Sequence, residues 1–503
     1  MASKIPSRVV HVRPHEVTTI NRGKIRDNGD EVFQVSDTGH QIISMWVKLV
    51  DIFELPAGSA DQETIVAHLV AGLEKAVGDH PELTGTMHFD NEAKRIVIKR
   101  GAGRNGGWVA LHIKDATAAE DQVPSYAWYH AHDYPVHRLE IEHLIPAEAA
   151  GHPMHVAADL DTPGPVVAAF QATFIRGGVI IATSVSHQVC DGLGWDSFNA
   201  TWAAYSRAAA TGRPATLDTN IPPHDYFTAK TKPSPERWEA LRGKYPTMKY
   251  NTSPPPPPPA DFVMPEVKTR VFHFPRSKLA ALKAECSRGL PQGSYISSYD
   301  AVAALWWRAM LRAKKPALNF QDDDDSKCVH AVNMRKRADP PLPPRFIGTA
   351  VALPWSEILT VKQAMGPREE ALPLLARTVR GNTALVTPDY IEGQMQWAAG
   401  GPDLRYNELN MSWIMGRDCM GFAWHDMTPY RTHDYGFGPP TGFRWPQMGF
   451  ESFFFMLPTR AGQRGLGDDE GIEVTFGIEE SCFPRLERDE ELLGFCEQRG
   501  LGS

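Results

Sequence analysis

Two hydrophobic periods alternate along this chain, one near two residues and one near three and a half. The run "QATFIRGGVIIATSVS" is rich in β-branched residues and breaks at a Gly-Gly pair, which predicts two buried strands joined by a tight turn. Directly after it, "WDSFNATWAAYSRAAA" carries Trp195, Phe198, Trp202 and Tyr205 at helical spacing. Upstream, "HQIISMWVKLVDIFELP" reads as a strand. "DQETIVAHLVAGLEKAVGDHPEL" reads as an amphipathic helix opened by Asp61 and closed near Gly78, and "AKRIVIKR" as a further strand. In the second half, "KTRVFHFPRSKLAALKAECSRGL" predicts strand, turn and helix. "SYISSYDAVAALWWRAMLRAKK" predicts a helix with Ser298 as its N-cap, and "FESFFFMLP" and "GIEVTFGIEE" predict adjacent late strands.

Strands and helices therefore mix in both halves, and the fold class expected is α/β or α+β. At 503 residues the chain exceeds what one core usually serves, so two domains of similar size are expected. The break lies in "NTSPPPPPPADF", where Pro254 to Pro259 lack backbone donors and must run extended as a stiff spacer. The division expected is 1–225, a Pro-rich linker over 226–265, and 266–503.

Composition removes several classes of function. The net charge of −8 disfavours a nucleic-acid or anionic-membrane partner. No stretch reaches the roughly 18 apolar residues of a membrane-spanning helix, and "MASKIPSRVVHVRPHE" lacks the apolar core of a signal peptide. The six cysteines stand singly with no C-x-x-C pair, which suits reduced thiols and supplies no zinc framework. A cytoplasmic protein with no bound metal is the expectation. "QDDDDSK" reads as an exposed acidic loop.

The chemistry centres on "SHQVCDGLG", between the strand and the helix described above. His187 is a candidate general base, because imidazole titrates nearest neutrality and can take a proton from an alcohol or amine. Asp191 has two readings: it orients His187 directly, or it pins the loop through a buried Arg. Gly192 and Gly194 permit either a close backbone approach or a positive φ. A histidine beside a strand is commonly just a satisfied core residue, and H-x-x-x-D offers two metal ligands with no third in sight. There is no G-x-S-x-G elbow, no G-x-G-x-x-G after a strand and no P-loop, which disfavours serine esterases, dinucleotide oxidoreductases and NTPases.

A second stretch, "HDYGFGPPTGF", carries Asp434, Gly436 and Gly438. Together with "SHQVCDG", it resembles the paired H-x-x-x-D-G and D-F-G-W-G motifs of the BAHD acyltransferases, with aromatic for aromatic at both variable positions. "HPELTG", "SSYDAVAALWWRA" and "AVNMRKRADPPLPPRFIG" resemble other family segments in the same order, and the likeness is greatest to the fungal branch that includes the trichothecene O-acetyltransferases. This resemblance implies two chloramphenicol-acetyltransferase-like domains joined by a long crossover, with a channel between them. It implies a monomer with no permanent cofactor, taking acyl-CoA, acetyl-CoA foremost, as cosubstrate and a small-molecule alcohol of secondary metabolism as acceptor. It also implies His187 as general base in a direct transfer, with Asp191 and Gly192 structural. By the same resemblance, Asp434, Gly436 and Gly438 are expected to form a structural loop whose Asp pairs with Arg335 of "VNMR". Trp413 of "LNMSWIMG" is a candidate donor to the developing oxyanion, although an insertion separates it from Asp434 here. Ser298 and Asp300 match a family position near the cofactor, and Arg276, Lys278 and Lys315 are candidates for the nucleotide phosphates. The rival functions are N-acyl transfer or condensation-type amide or ester formation on the same fold, and a binding protein or other catalyst that uses the cleft without His187.

Overall fold

The protein was analysed as a computed structural model that describes residues 5–17, 23–26, 28–101, 107–119, 122–150, 154–251, 263–355, 357–412, 414–446 and 449–500. The Pro254–Pro259 run lies outside the described residues, as does Trp413.

Two six-stranded sheets carry the architecture. Strands β1 (Ser7–Val12), β2 (Trp46–Glu54), β3 (Val109–Asp115), β4 (Ala168–Ile175) and β5 (Gly178–Ser186) come from the first half. Strands β6 (Val267–Phe274), β7 (Cys328–His330), β8 (Cys419–Ala423), β9 (Gly442–Arg444), β10 (Phe453–Met456), β11 (Ile472–Glu479) and β12 (Glu497–Arg499) come from the second. One sheet has the order β1-β3-β4-β5-β2-β9 and the other β7-β8-β10-β11-β6-β12, each mixing parallel and antiparallel pairs. A small four-stranded sheet (Lys24–Ile25, Glu31–Gln34, Arg95–Arg100, Thr86–Asp90) flanks the first.

β9 belongs to the second half in sequence yet completes the first sheet, with Phe443 opposite Asp51 of β2. Its Arg444 is fully buried and gives both terminal nitrogens to Glu473 of β11, at 2.7 and 3.0 Å. That pair ties the two sheets together through an ion pair that water does not reach.

The helices follow the predicted periodicity closely. Asp61 caps α1 (Gln62–Asp79) by accepting the Thr64 N–H. The Trp195, Phe198, Trp202 stripe of α2 (Gly192–Thr211) is wholly buried against the first sheet and α1, and the Trp202 indole donates to the Leu69 carbonyl at 2.9 Å. In the second half, α3 (Arg276–Cys286) and α4 (Ser298–Leu318) cover the other sheet, and Trp306 stacks on Phe476 at 4.2 Å. Ser297 caps α4, not Ser298: its hydroxyl accepts the Asp300 N–H while the Asp300 carboxylate takes the Ser297 N–H, a reciprocal box that only the earlier serine can close. The predicted late neighbours are β10 and β11, paired antiparallel with Phe454 opposite Phe476. Among the described residues no helix is long and apolar enough to cross a membrane.

Candidate active site

β5 ends at Ser186, and His187 takes the first position of the turn into α2. Its backbone is fixed from both sides. The His187 N–H donates to the Met45 carbonyl at 2.9 Å, and its carbonyl accepts the Thr349 hydroxyl at 3.0 Å. The ring is partly accessible and opens on a cavity enclosing about 1060 Å³ of space free of protein atoms, the part open to solvent included. Nδ1 faces inward without a hydrogen-bond partner. Burial pulls the imidazole pKa below its ordinary value, opposed by the backbone carbonyl groups of the turn and by the Asp191 charge. Burial thus favours the uncharged ring, the form able to accept a proton.

Asp191 does not orient His187. It is the N-cap of α2, and its carboxylate is filled by other donors: Gly194 N–H at 2.8 Å, Ala350 N–H at 2.8 Å, and both terminal nitrogens of Arg335 at 2.7 and 2.9 Å. Arg335 also donates to the Gly348 carbonyl at 2.9 Å and lies over the Phe346 ring. The expected partnership of Arg335 with Asp434 is thus corrected: the aspartate it holds is Asp191. Asp434 instead accepts the N–H groups of Gly436 and Gly438, both at 2.9 Å, and meets the half-exposed Arg207 of α2 at 3.5 Å.

The glycines of the two motifs serve different ends. In the first, space decides: a Cβ on Gly194 would lie 1.9 Å from the Ile347 carbonyl oxygen, and one on Gly192 would lie 2.7 Å from the Trp424 indole nitrogen. In the second, Gly436 and Gly438 adopt φ of +110° and +97°, which the tight turn around Asp434 requires. That turn clips the second half onto α2 and β2. The Tyr435 hydroxyl donates to Asn199 at 3.0 Å, and Phe53 meets Phe437 edge-on. The preceding His433 is buried between two carboxylates, Asp51 at 2.7 Å and Asp196 at 3.2 Å. Burial works against its charge, but the two aspartates outweigh it and raise its pKa to about 10. None of these second-motif residues lines the cavity.

The remaining candidates among the described residues also lie off the cavity wall. Asp300 is occupied by the α4 cap and by Arg380, whose Nε donates at 2.8 Å, and Ser298 is the residue after the cap. Arg276 and Lys278 are exposed at the start of α3, and Lys315 pairs with Asp322 of the acidic loop. Among the described residues, the three that come together with metal-ligand spacing, Glu140, Glu142 and His143, do not border the cavity.

What sequence reasoning did not anticipate is the part of the opposite wall built by strands β8 and β10. Met420 and Phe422 alternate along β8, and Phe453 and Phe455 face them in register from β10. These four point at the cavity, while Phe454 and Met456 point the other way into the core beneath α4. Trp424, Trp445 and Phe450 extend the wall. Gln41 and Asn333 are its uncharged polar members, and the ionisable ones are His187 together with the mutually bound Asp191 and Arg335.

Residues 139–493 match the model of the Transferase family. The chain belongs to the BAHD acyltransferase family. Residues 45–201 of this acyltransferase also match the trichothecene 3-O-acetyltransferase-like N-terminal domain. The acyltransferase is similar to Acetyltransferase FGR3 of Gibberella zeae, 26% identical over 94% of this chain and 92% of the relative. It is likewise similar to Acyltransferase easC of Emericella nidulans, 25% identical over 93% and 95% of the two chains. In fold it matches F. graminearum TRI101 complexed with coenzyme A and T-2 mycotoxin, with a TM-score of 0.72 at 16% identity over 93% of this chain and 99% of that one. Vinorine synthase matches with a TM-score of 0.64 at 16% identity, covering 99% and 100%. The shared architecture is the mixed α/β fold, mixed sheets with helices, expected from the sequence.

Proposed function

We propose that this acyltransferase moves an acyl group, acetyl foremost, from coenzyme A to a hydroxyl of a small secondary metabolite, with His187 as the general base. The observation that carries the reading is the cavity's chemistry. Among the described residues its walls offer one unpaired ionisable group, the His187 imidazole, whose neutral form burial favours, since Asp191 and Arg335 satisfy each other. Relatives named as acetyl- and acyltransferases and a fold neighbour holding coenzyme A support the donor.

The transfer balances without a covalent enzyme intermediate. The accessible nitrogen of His187 takes the acceptor's hydroxyl proton as the oxygen bonds to the thioester carbonyl carbon. The carbon–sulfur bond breaks, and the imidazolium returns the proton to the departing thiolate, leaving ester and free thiol. Holding both reactants in one cavity supplies much of the barrier reduction. Asp191 and Arg335 serve as a pin that keeps the turn at its height above the second half.

The cavity is lined by both halves of a single chain, so a monomer is sufficient for the chemistry. The six thiols are free and buried, which fits a reducing cytoplasm. The test is His187→Ala in a thiol-release assay with acetyl-CoA and a panel of alcohols. Loss of transfer by about 10²- to 10⁴-fold with folding intact is expected, and an undiminished rate overturns the assignment.

A further inference from the structure

One wall of the cavity is aromatic and the other aliphatic, and that asymmetry specifies the acceptor more narrowly than "an alcohol". On the second-half side the rings stand in nearly parallel pairs: Phe422 with Phe455 at 4.5 Å and 6°, Trp424 with Trp445 at 5.4 Å and 10°, and Phe450 with Phe453 at 5.3 Å and 16°. The pairing follows from strand register, because Phe422 and Phe455 are direct neighbours on the parallel β8–β10 ladder. The first-half part of the lining is aliphatic, with Ile42, Ile43, Met45 and Leu193, and Ile43 is exposed to solvent.

We propose that the acceptor is an uncharged alcohol bearing a planar aryl or fused-aryl ring system, held flat against this ring wall with its hydroxyl directed to His187. The inference rests on the acyl-transfer reading and names the substrate class of the same site. Ring faces carry partial negative charge and ring edges partial positive charge, so stacked and edge-on contacts reward a planar π-system beyond the area it buries. A saturated ring system of equal size gains the burial but not this orientation-dependent part. A polyol loses on both counts, because among the described residues the neutral polar side chains of the lining are Gln41, whose amide is already bonded to Gln394 at both ends, and Asn333, whose oxygen accepts the Arg335 N–H. Among the described lining residues an acidic or basic acceptor finds no free counter-charge, since the Arg335 and Asp191 charges are spent on each other.

The experiment measures binding to the intact protein by titration calorimetry, without acyl donor, using three probes: 2-naphthylmethanol, its decahydro analogue and myo-inositol. About tenfold tighter binding of the naphthyl probe than of the decahydro probe is expected, with inositol weakest. Trp445→Leu should close the gap between the first two. Phe450→Leu, at a partly exposed position, serves the same purpose should the Trp variant not fold. Equal or tighter binding of the decahydro probe, or preference for inositol, overturns the proposal. A thiol-release assay on the same alcohols separates the two readings. Naphthyl preference with no transfer to any alcohol removes the acyltransferase assignment and keeps the aryl slot. Transfer with the order of preference reversed does the opposite.

Discussion

Replacing Asp191 with Ala tests whether this residue is a pin or a partner in catalysis. The substitution strands the charge of Arg335, a residue 8% exposed, with the Phe346 and Gly348 carbonyls and the Phe346 ring but no counter-charge. Leaving such a charge unpaired costs about 3–5 kcal/mol. The lost cap on the Gly194 N–H adds about 1 kcal/mol. The lost acceptor for the buried Ala350 N–H adds about 1–3 kcal/mol. These terms share one carboxylate and do not sum fully, so about 4–6 kcal/mol is expected in all. With an unfolding entropy near 2.1 cal/mol/K per residue across 503 residues, that lowers Tm by about 4–6 °C, or about twice as much if one half of the chain melts alone. The double variant Asp191→Ala/Arg335→Met removes both charges and should recover about 2–3 kcal/mol of the single-variant loss. The assays are thermal unfolding by circular dichroism and thiol release from the folded fraction below the transition. An unchanged Tm accompanied by a displaced acid limb in the pH–rate profile refutes the pin. It would mean that Asp191 acts on the imidazole, against the occupancy of both its oxygens.

Three further outcomes are expected. Because burial holds the His187 pKa below 6.5, kcat/KM should stay level above neutrality and fall with a midpoint below 6.5 as the pH drops; a midpoint above 7 contradicts a desolvated base. His433→Gln leaves Asp51 and Asp196 buried around an uncharged group and should cost about 3–5 kcal/mol near pH 6. Because the folded pKa of His433 is raised to about 10, its contribution is complete below about 6.5 and declines as pH rises toward 10, so the Tm gap between wild type and variant should shrink across that window. Gly436→Ala forces a Cβ into a φ of +110° and within 2.7 Å of the Ala210 side chain, which should cost about 1–3 kcal/mol in urea titration while leaving kcat of the folded protein unchanged.

The elements that position the base were legible for two different reasons. The strand before His187 is buried throughout and was read from its β-branched run and the Gly-Gly break, whereas the Trp195–Phe198–Trp202 stripe after it follows the helical period on a helix whose far end is exposed. The aromatic wall was not legible, because β8 and β10 are buried on both faces. "MGFA" and "FFFM" show no period that separates the residues facing the cavity from those facing the core beneath α4. The partner of Arg335 was misassigned for a related reason. Asp191 and Asp434 both precede a glycine-bearing turn, and only the tertiary path of Ile347–Ala350 over the start of α2 brings Arg335 to the first of them. β9 escaped notice because three residues, "GFR", carry too little pattern to announce a strand.

That short strand constrains how the molecule is made. Until β9 arrives, the outer side of β2 is an unpaired ribbon of peptide groups, the kind of edge that recruits other chains. A ribosome adding about 5–20 residues per second needs roughly 20–80 s to go from Glu54 to Gly442. For that interval the nascent first half must be shielded by a chaperone or tolerate the exposure. Cutting the gene at mid-chain would make the exposure permanent, so production as two separate halves should yield aggregate from the leading piece unless the trailing piece is supplied alongside it.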